Sequence, residues 1–268
     1  MEGSDRGAER VLLVIPCFQE SRRLPHFLPD LCRALHDLDA VEICVVDDGS
    51  GPEEQQRTRE YVESLQPSAP MLKPPLLLDR NHGKGGAIYA GWRTGASHSW
   101  LAFVDADGSC PAPEVVRLIR HALSRGTPGA TPPALFASRV KMLGRHVDRL
   151  LSRHLVGRIY ATLVSELLSI PIYDSQCGLK MVPRPAFESI QNRLTVQGFA
   201  FDVDLLVALL DSGCPVHEFP IDWHEKPGGT VRLFRDPWLM AWDVWKIRQR
   251  RASRAAGSVA PAHAHSSP

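Results

Sequence analysis

Two aspartates separated by one residue, Asp105 and Asp107, stand directly after the apolar run WLAFV, with Ala106 between them. In an extended segment residues i and i+2 project to the same side, so both carboxylates face one cation. A hard divalent ion, Mg²⁺ or Mn²⁺, suits such a pair, its remaining positions filled by water and by phosphate oxygens of a substrate. An ion there would neutralise charge developing on a departing diphosphate. Asp47 and Asp48 end an earlier apolar run. Being adjacent, they point to opposite sides, one towards a base or ribose, the other as a cap for the following helix. Asn81-His82-Gly83-Lys84-Gly85-Gly86 offers glycine-freed amides at a helix start and one lysine, a place for an anion. The plainer reading of Lys84 is a solvated surface charge.

These groups need a scaffold that brings them together. Val11 to Ile15, Val41 to Val46, Pro75 to Asp79, Trp100 to Val104 and Ala134 to Ser138 are short, apolar and rich in β-branched residues, as strands covered on both faces should be. Amphipathic stretches such as Pro29 to Leu38 and Pro113 to Leu123 lie between them, so the pattern predicts βαβ units and a mainly parallel sheet with flanking helices. Ligands of such sheets bind beyond the carboxyl ends of the strands. The first strand runs into PCFQE, the second into DDGSG, the third into DRNHGKGG and the fourth into DADGS. Any one of these is a good turn; four in succession argue for a shared crevice. The place of a dinucleotide-binding GxGxxG is held by Pro16-Cys17-Phe18-Gln19-Glu20, and HGKGG lacks the spacing and Ser/Thr of a Walker A loop.

The second half predicts a long helix from Leu143 to Ile170, carrying Arg145, Arg149 and Arg153 along one face. A compact helix follows from Asp202 to Asp211, with Asp202 as its N-cap and Gly213 as its stop. The last helix starts near Pro237 and ends in KIRQRR; its Trp238, Leu239, Trp242 and Trp245 recur at helical spacing before Lys246, Arg248, Arg250 and Arg251. Such a helix suits a membrane surface. One domain is expected over residues 10–250, with 1–9 and 251–268 disordered; His263 and His265 in that tail make an unconvincing metal site.

Thirty-one basic against thirty acidic side chains leave no net field for nucleic acid. No apolar run approaches the ~20 residues of a membrane span, and MEGSDRGAER has no hydrophobic core of a signal peptide. A cytoplasmic protein is expected, touching a membrane only at its face. Six cysteines scattered without CxxC spacing read as reduced structural thiols.

The ordered set IPCFQE, VVDDGS, NHGKGGAIYAGW, FVDADGS, Ser138-Arg139, DSQCGLK, GFAFDVDLL and WHE resembles glycosyltransferase family 2. Within it the chain is most similar to dolichyl-phosphate β-glucosyltransferases and related polyprenyl-phosphate sugar synthases, from about Val11 to Arg248. The resemblance implies a Rossmann-like GT-A fold, an inverting reaction, a nucleotide-sugar donor and a divalent cation. It puts Pro16 and Glu20 beside the nucleotide, Asp48 with Asp47 near base and ribose, and Asp105 and Asp107 on metal and diphosphate. Arg139 falls where an acceptor phosphate is held, and Gln176 and Lys180 fall in the segment closing over sugar and acceptor. Trp223-His224-Glu225 matches a late segment. Gly108-Ser109 follow the aspartate motif where mannosyl members usually carry Leu-Gln, as in the glucosyl type; the membrane anchor of many members has no counterpart here.

Two acceptors fit the residues. A phosphomonoester, with a second pKa of ~6, is already ionised and needs no base; Arg139 would bind it with two parallel hydrogen bonds. A sugar hydroxyl needs a carboxylate within reach, for which Asp174 is the candidate, its plainer role being a turn or cap. The expected activity is transfer of glucose from UDP-glucose to polyprenyl phosphate. The alternatives are a family 2 enzyme acting on a small-molecule or saccharide hydroxyl, and a non-catalytic nucleotide-sugar binding module.

Overall fold

The computed structural model describes residues 9–124, 132–148, 161–162, 164–170, 172–226 and 236–258, with side chains described over 240–253 in the last of these. Seven strands form one sheet in the order β3-β2-β1-β4-β7-β5-β8. They are β1 (Val11–Cys17), β2 (Val41–Asp47), β3 (Leu76–Leu77), β4 (Trp100–Val104), β5 (Ala134–Ser138), β7 (Leu179–Pro183) and β8 (Val216–Pro220). Two short strands, β6 (Val147–Asp148) and β9 (Trp223–His224), pair in parallel as a second sheet. Only β7 runs antiparallel, wedged between β4 and β5; the remaining pairs of the large sheet are parallel.

Side chains alternate across the sheet and build one layer on each face. Val11, Leu13 and Ile15 of β1 pack with Leu28, Leu31 and Leu35 of α1 (Leu28–Leu35) and Val115, Leu118 and Ile119 of α4 (Ala112–Ser124). Leu12 and Val14 face the other layer, made by α3 (Lys84–Arg93), α5 (Arg184–Ile190), α6 (Phe201–Asp211) and α7 (Asp236–Ser258). Helix α3 lies very close to the sheet. A Cβ on Gly91 would stand 2.7 Å from Val14 Cγ2, and Trp92 Nε1 donates to Ala102 O at 2.9 Å. All six cysteines are buried and free; burial pushes the Cys32 and Cys44 thiols up to about 11.

Several expectations are corrected. The helix predicted from Leu143 does not start there: residues 143–144 turn at Gly144 (φ 81°), and 147–148 are strand. The apolar spacing mimics a helix, but pairing with Trp223–His224 and the His146 N–H donated to Asp222 Oδ1 hold this stretch extended. Arg145 is tied to Glu114 at 3.1 Å, while Arg149 and Arg153 lie outside the described residues. Residues 164–168 are helical. The third strand shrinks to two residues at the sheet's edge, α1 stops at Leu35, and α7 continues to Ser258, past the boundary set at 250. Residues 259–268, with both tail histidines, and residues 1–8 lie outside the described residues.

Asp202 is not the N-cap of its helix; Ala200 holds that position. Asp202 sits inside the first turn and accepts from Lys180 Nζ at 2.5 Å, while the same ammonium donates to Cys177 O at 2.7 Å. Lys180 is fully buried between the rings of Phe103 and Phe136, so its charge needs this partner more than the helix needs a cap. Burial raises the Asp202 pKa against the pull of Lys180 and Lys84. Asp202→Asn keeps the shape but strands the ammonium, a loss of about 3–5 kcal/mol in buried pairs of this kind. Denaturant melts should show it; a midpoint equal to wild type would mean that the pair does not fasten α6 to the sheet.

Candidate active site

The carboxyl ends of β1, β2 and β4 converge as the strand-end motifs require. Asp48 N donates to Cys17 O (2.8 Å), and Gln19 N donates to Ser50 Oγ (2.8 Å), so the first two loops are tied together. Asp47 Oδ1 accepts from Ser50 N at 2.9 Å in a local turn; its Oδ2 is buried and has no hydrogen-bond partner. Asp48 Oδ1 accepts from His82 N at 2.7 Å and so fastens the third loop; burial raises its pKa although the His82 and Gly83 amides oppose this. Neither aspartate caps the next helix, α2 (Pro52–Leu65), whose N-cap is Gly51 without a side-chain bond. Pro16 lies in β1 opposite Val46.

Strand β4 ends at Val104, so Asp105 to Asp107 lie in the loop after it; Ala106 packs into the core, and Asp105 and Asp107 are each part-exposed. Asp105 N donates to Gly178 O at 2.9 Å, and the Asp105 carboxylate lies so close over Gly178 that a Cβ there would overlap it. Asp107 Oδ1 accepts from Ser109 N at 2.9 Å, and its Oδ2 is 3.9 Å from the Arg23 guanidinium. Arg23 also donates to Glu20 Oε1 at 2.9 Å. Burial raises the Glu20 pKa; Arg23 pulls it down, while Asp107 and Asp105 push it up. Glu20, Asp105 and Asp107 therefore share one region of negative potential, with Glu20 Oε2 buried and unpartnered inside it. The sequence reading missed Arg23; its position three residues after Glu20 is a signal only once both are known to face Asp107.

Lys84 is neither a solvated charge nor free for an anion. Its Nζ is 2.6 Å from Asp105 Oδ1 and lies over the rings of Phe103 and Phe201. Burial works against its charge, but Asp105, with Asp202 and Asp107, raises its pKa overall. The amides of Gly85 and Gly86, expected as an anion cradle, donate to Gln197 O at 2.8 and 3.3 Å. The glycines serve close packing instead, since a Cβ at Gly85 would crowd Phe201.

Arg139 follows β5 directly. Its N and Nε donate to Asp174 Oδ2 at 3.0 and 2.6 Å, and its Nη2 donates to Asp174 Oδ1 at 2.7 Å. The Gln176 N–H adds a fourth donor on Oδ1 at 3.3 Å. A carboxylate has about four acceptor positions, so Asp174 keeps no open lone pair for a substrate hydroxyl and is a holder of Arg139 rather than a free base. The guanidinium also lies over the Trp223 ring, 5.0 Å from its centre. Burial opposes the Arg139 charge, Asp174 restores it, and Asp105 adds to the same field. His224 N donates to Ser109 O (2.9 Å) and Lys226 N to Ser109 Oγ (3.3 Å), so the late WHE segment is laced to the aspartate loop. Gln176 Nε2 reaches Phe199 O at 3.4 Å. Lys180 does not join the segment over the site: it lies beneath it, paired with Asp202.

No three His, Cys, Asp or Glu side chains among the described residues are grouped to hold a metal ion alone. Asp105 and Asp107 would hold an ion only together with water and substrate phosphate, with Asp105 sharing its carboxylate between that ion and Lys84.

Residues 12–190 match the family model Glycosyl transferase family 2. A dolichyl-phosphate β-glucosyltransferase of Saccharomyces cerevisiae is 30% identical over 253 residues, covering 88% of this chain and 73% of its own. The enzyme of that name from Dictyostelium discoideum is 28% identical over 89% of this chain and 73% of its own. Glucosyl-3-phosphoglycerate synthase from Mycobacterium tuberculosis, solved with Mg²⁺ and uridine diphosphate, aligns with a TM-score of 0.59 at 14% identity, over 92% of this chain and 81% of its own. Likeness at that identity speaks for the fold. With its motifs at the carboxyl ends of a mainly parallel sheet and two thirds of its length matched, the chain has a GT-A fold and belongs to glycosyltransferase family 2.

Proposed function

We propose that the chain transfers glucose from UDP-glucose, with inversion, to the phosphate of a polyprenyl or dolichyl phosphate. The observation that carries this is the Arg139–Asp174 pair: a guanidinium held from one side by a carboxylate that is too fully bonded to act as a base. Such a site suits an acceptor that arrives ionised, as a phosphomonoester does with its second pKa of ~6. The names of the relatives point to the same acceptor and sugar. An acceptor phosphate oxygen attacks the anomeric carbon as the bond to the leaving diphosphate breaks, and its electrons pass to the diphosphate oxygen. No proton has to move, so the residues act by alignment and charge stabilisation. Arg139, held by Asp174, would add its positive charge to the binding of the acceptor phosphate. The unpartnered Oδ2 of Asp47 offers an acceptor to an N–H or O–H of the nucleoside, with Asp48 holding the adjoining loop and Pro16 and Glu20 flanking it. Arg23 places a positive charge beside the leaving group. Mg²⁺ or Mn²⁺ held by Asp105 and Asp107 would neutralise the diphosphate. The hydroxyl-acceptor reading loses its base. A binding module without chemistry gives no use to a buried, oriented arginine.

A polyprenyl phosphate lives in a bilayer. No helix among the described residues is long and apolar enough to cross one. On α7, Met240, Val244 and Ile247 face the core, leaving Trp242 and Trp245 exposed and stacked at 4.8 Å. Lys246 pairs with Asp243, Arg250 with Asp204 and Arg251 with Asp211, so fewer charges are open than the sequence suggests. The Trp pair supports peripheral contact with a cytoplasmic membrane face.

Asp107→Asn and chelator treatment should each lower turnover by orders of magnitude without unfolding, the second reversibly; full activity in excess chelator removes the metal from the reading. Arg139→Ala should raise acceptor KM strongly and spare donor binding. Asp174→Asn should follow it in kind, through Arg139, with kcat retained; abolished kcat with unchanged acceptor KM would restore Asp174 as a base. In flotation with anionic liposomes, the Trp242→Ala/Trp245→Ala double variant should bind markedly less than wild type. Equal recovery of both would take α7 out of membrane contact.

A further inference from the structure

Behind the Arg139–Asp174 pair stands a second carboxylate. Glu218 lies in the middle of β8, the edge strand, opposite Phe136 of β5 and two positions upstream of the pairing of Ser138, the residue before Arg139. Its side chain does not point idly into solvent. Glu218 Oε1 accepts from Asp174 N at 3.0 Å, and Oε2 accepts from Tyr173 N at 3.2 Å. One carboxylate thus grips two successive amides of the segment that carries Asp174. Tyr173, 64% exposed, is not buried in place by its own side chain, so the backbone bonds do the holding. Hydrogen bonds to an ionised acceptor are about twice as strong as neutral ones.

We propose that Glu218 is a positioning residue for the acceptor arginine. The order runs from Glu218 to the Tyr173 and Asp174 amides, from the Asp174 carboxylate to the Arg139 fork, and from there to the acceptor. Trp223 packs against the guanidinium, 5.0 Å from ring centre to Cζ. Glu218 touches no reacting atom. It decides the direction in which Asp174 faces, and Asp174 decides the plane of Arg139. Without it the segment retains Asp174's own bonds but loses the fixed anchor that sets their direction. The proposal leaves the donor side alone, since Asp47, Asp48, Asp105 and Asp107 have separate supports.

The kinetic consequence rests on the proposed phosphate acceptor, whereas the geometric one does not, and two readouts separate them. The first is the Arg139 Nε–H resonance in a ¹H–¹⁵N spectrum of the full chain, assigned by its loss in Arg139→Lys. It should persist in wild type, exchange rapidly or shift in Glu218→Ala, and lie between in Glu218→Gln, which keeps one acceptor oxygen. The second is steady-state kinetics with UDP-glucose and a polyprenyl phosphate. Glu218→Ala removes both hydrogen bonds to this charged group and should raise acceptor KM by about tenfold or more, with donor KM unchanged. Thermal melts check that each variant is folded. An Arg139 resonance unmoved in folded Glu218→Ala, or donor and acceptor KM rising together, overturns the proposal. Wild-type protein that ignores polyprenyl phosphate sinks the acceptor reading instead, and the resonance then decides the role of Glu218.

Discussion

Like charges crowd at one end of this sheet, and each must be balanced without being neutralised for good. Glu20 is held by Arg23, Asp105 by Lys84, Asp174 by Arg139 and Asp202 by Lys180. Four carboxylates left bare in a partly dry crevice would repel one another and either take up protons or pull the loops apart. The paired cations let the chain fold before any ligand arrives. Their depth then separates their roles. Lys180 is sealed between aromatic rings and serves only the fold, Lys84 is held on Asp105 over the rings of Phe103 and Phe201, and Arg23 and Arg139 remain part-exposed beside their carboxylates.

That balance requires the loops to be placed closely, and backbone contacts do most of the placing. The first two loops are stitched through Ser50 and Cys17, the third through the Asp48 carboxylate, and the fourth through Gly178 and Ser109. The antiparallel β7 matters here. By lying between β4 and β5 it delivers Gly178 against Asp105 at one end of the strand and Lys180 into the core two residues later. The Asp105–Asp107 loop after β4 and Arg139 after β5 thereby stand on opposite flanks of the same strand. Family membership and crevice geometry then agree on a transfer between two bound partners, with alignment and electrostatics supplying the rate.

Much of this was legible in the chain itself. The positions of β1, β2, β4 and β5, their parallel order and the convergence of the strand-end motifs follow from short apolar β-branched runs that stop at polar residues, because burial on both faces leaves no other pattern for a central strand. Strand β8 and the antiparallel β7 between β4 and β5 were not read from the chain. The period of two put Ala106 inside and Asp105 and Asp107 outside, yet all three lie past the end of β4, where a turn and not the strand pleat sets their directions. Side-chain partners were not legible. Asp174 offered itself as a base, Lys84 as an anion ligand and Asp202 as a cap, and each reading assumed a free side chain. The residues that occupy them, Arg139, Asp105 and Lys180, are 35, 21 and 22 positions away.

The start of the helix predicted from Leu143 to Ile170 failed for a related reason, while residues 164–168 are helical and 149–160 lie outside the described residues. Its apolar spacing was genuine, yet two residues of pairing with Trp223–His224, far along the chain, held it extended. Local pattern determines which face of an element is apolar, because that depends only on the pitch of the backbone. Which carboxylate meets which cation depends on distances between elements, and burial makes an unpaired charge too costly for the local preference to survive. The sequence by itself therefore determined the scaffold, the family and the aspartate pair. Tertiary structure decided which carboxylate pairs with which cation, and that Glu218, silent in the sequence, stands behind the Arg139–Asp174 pair.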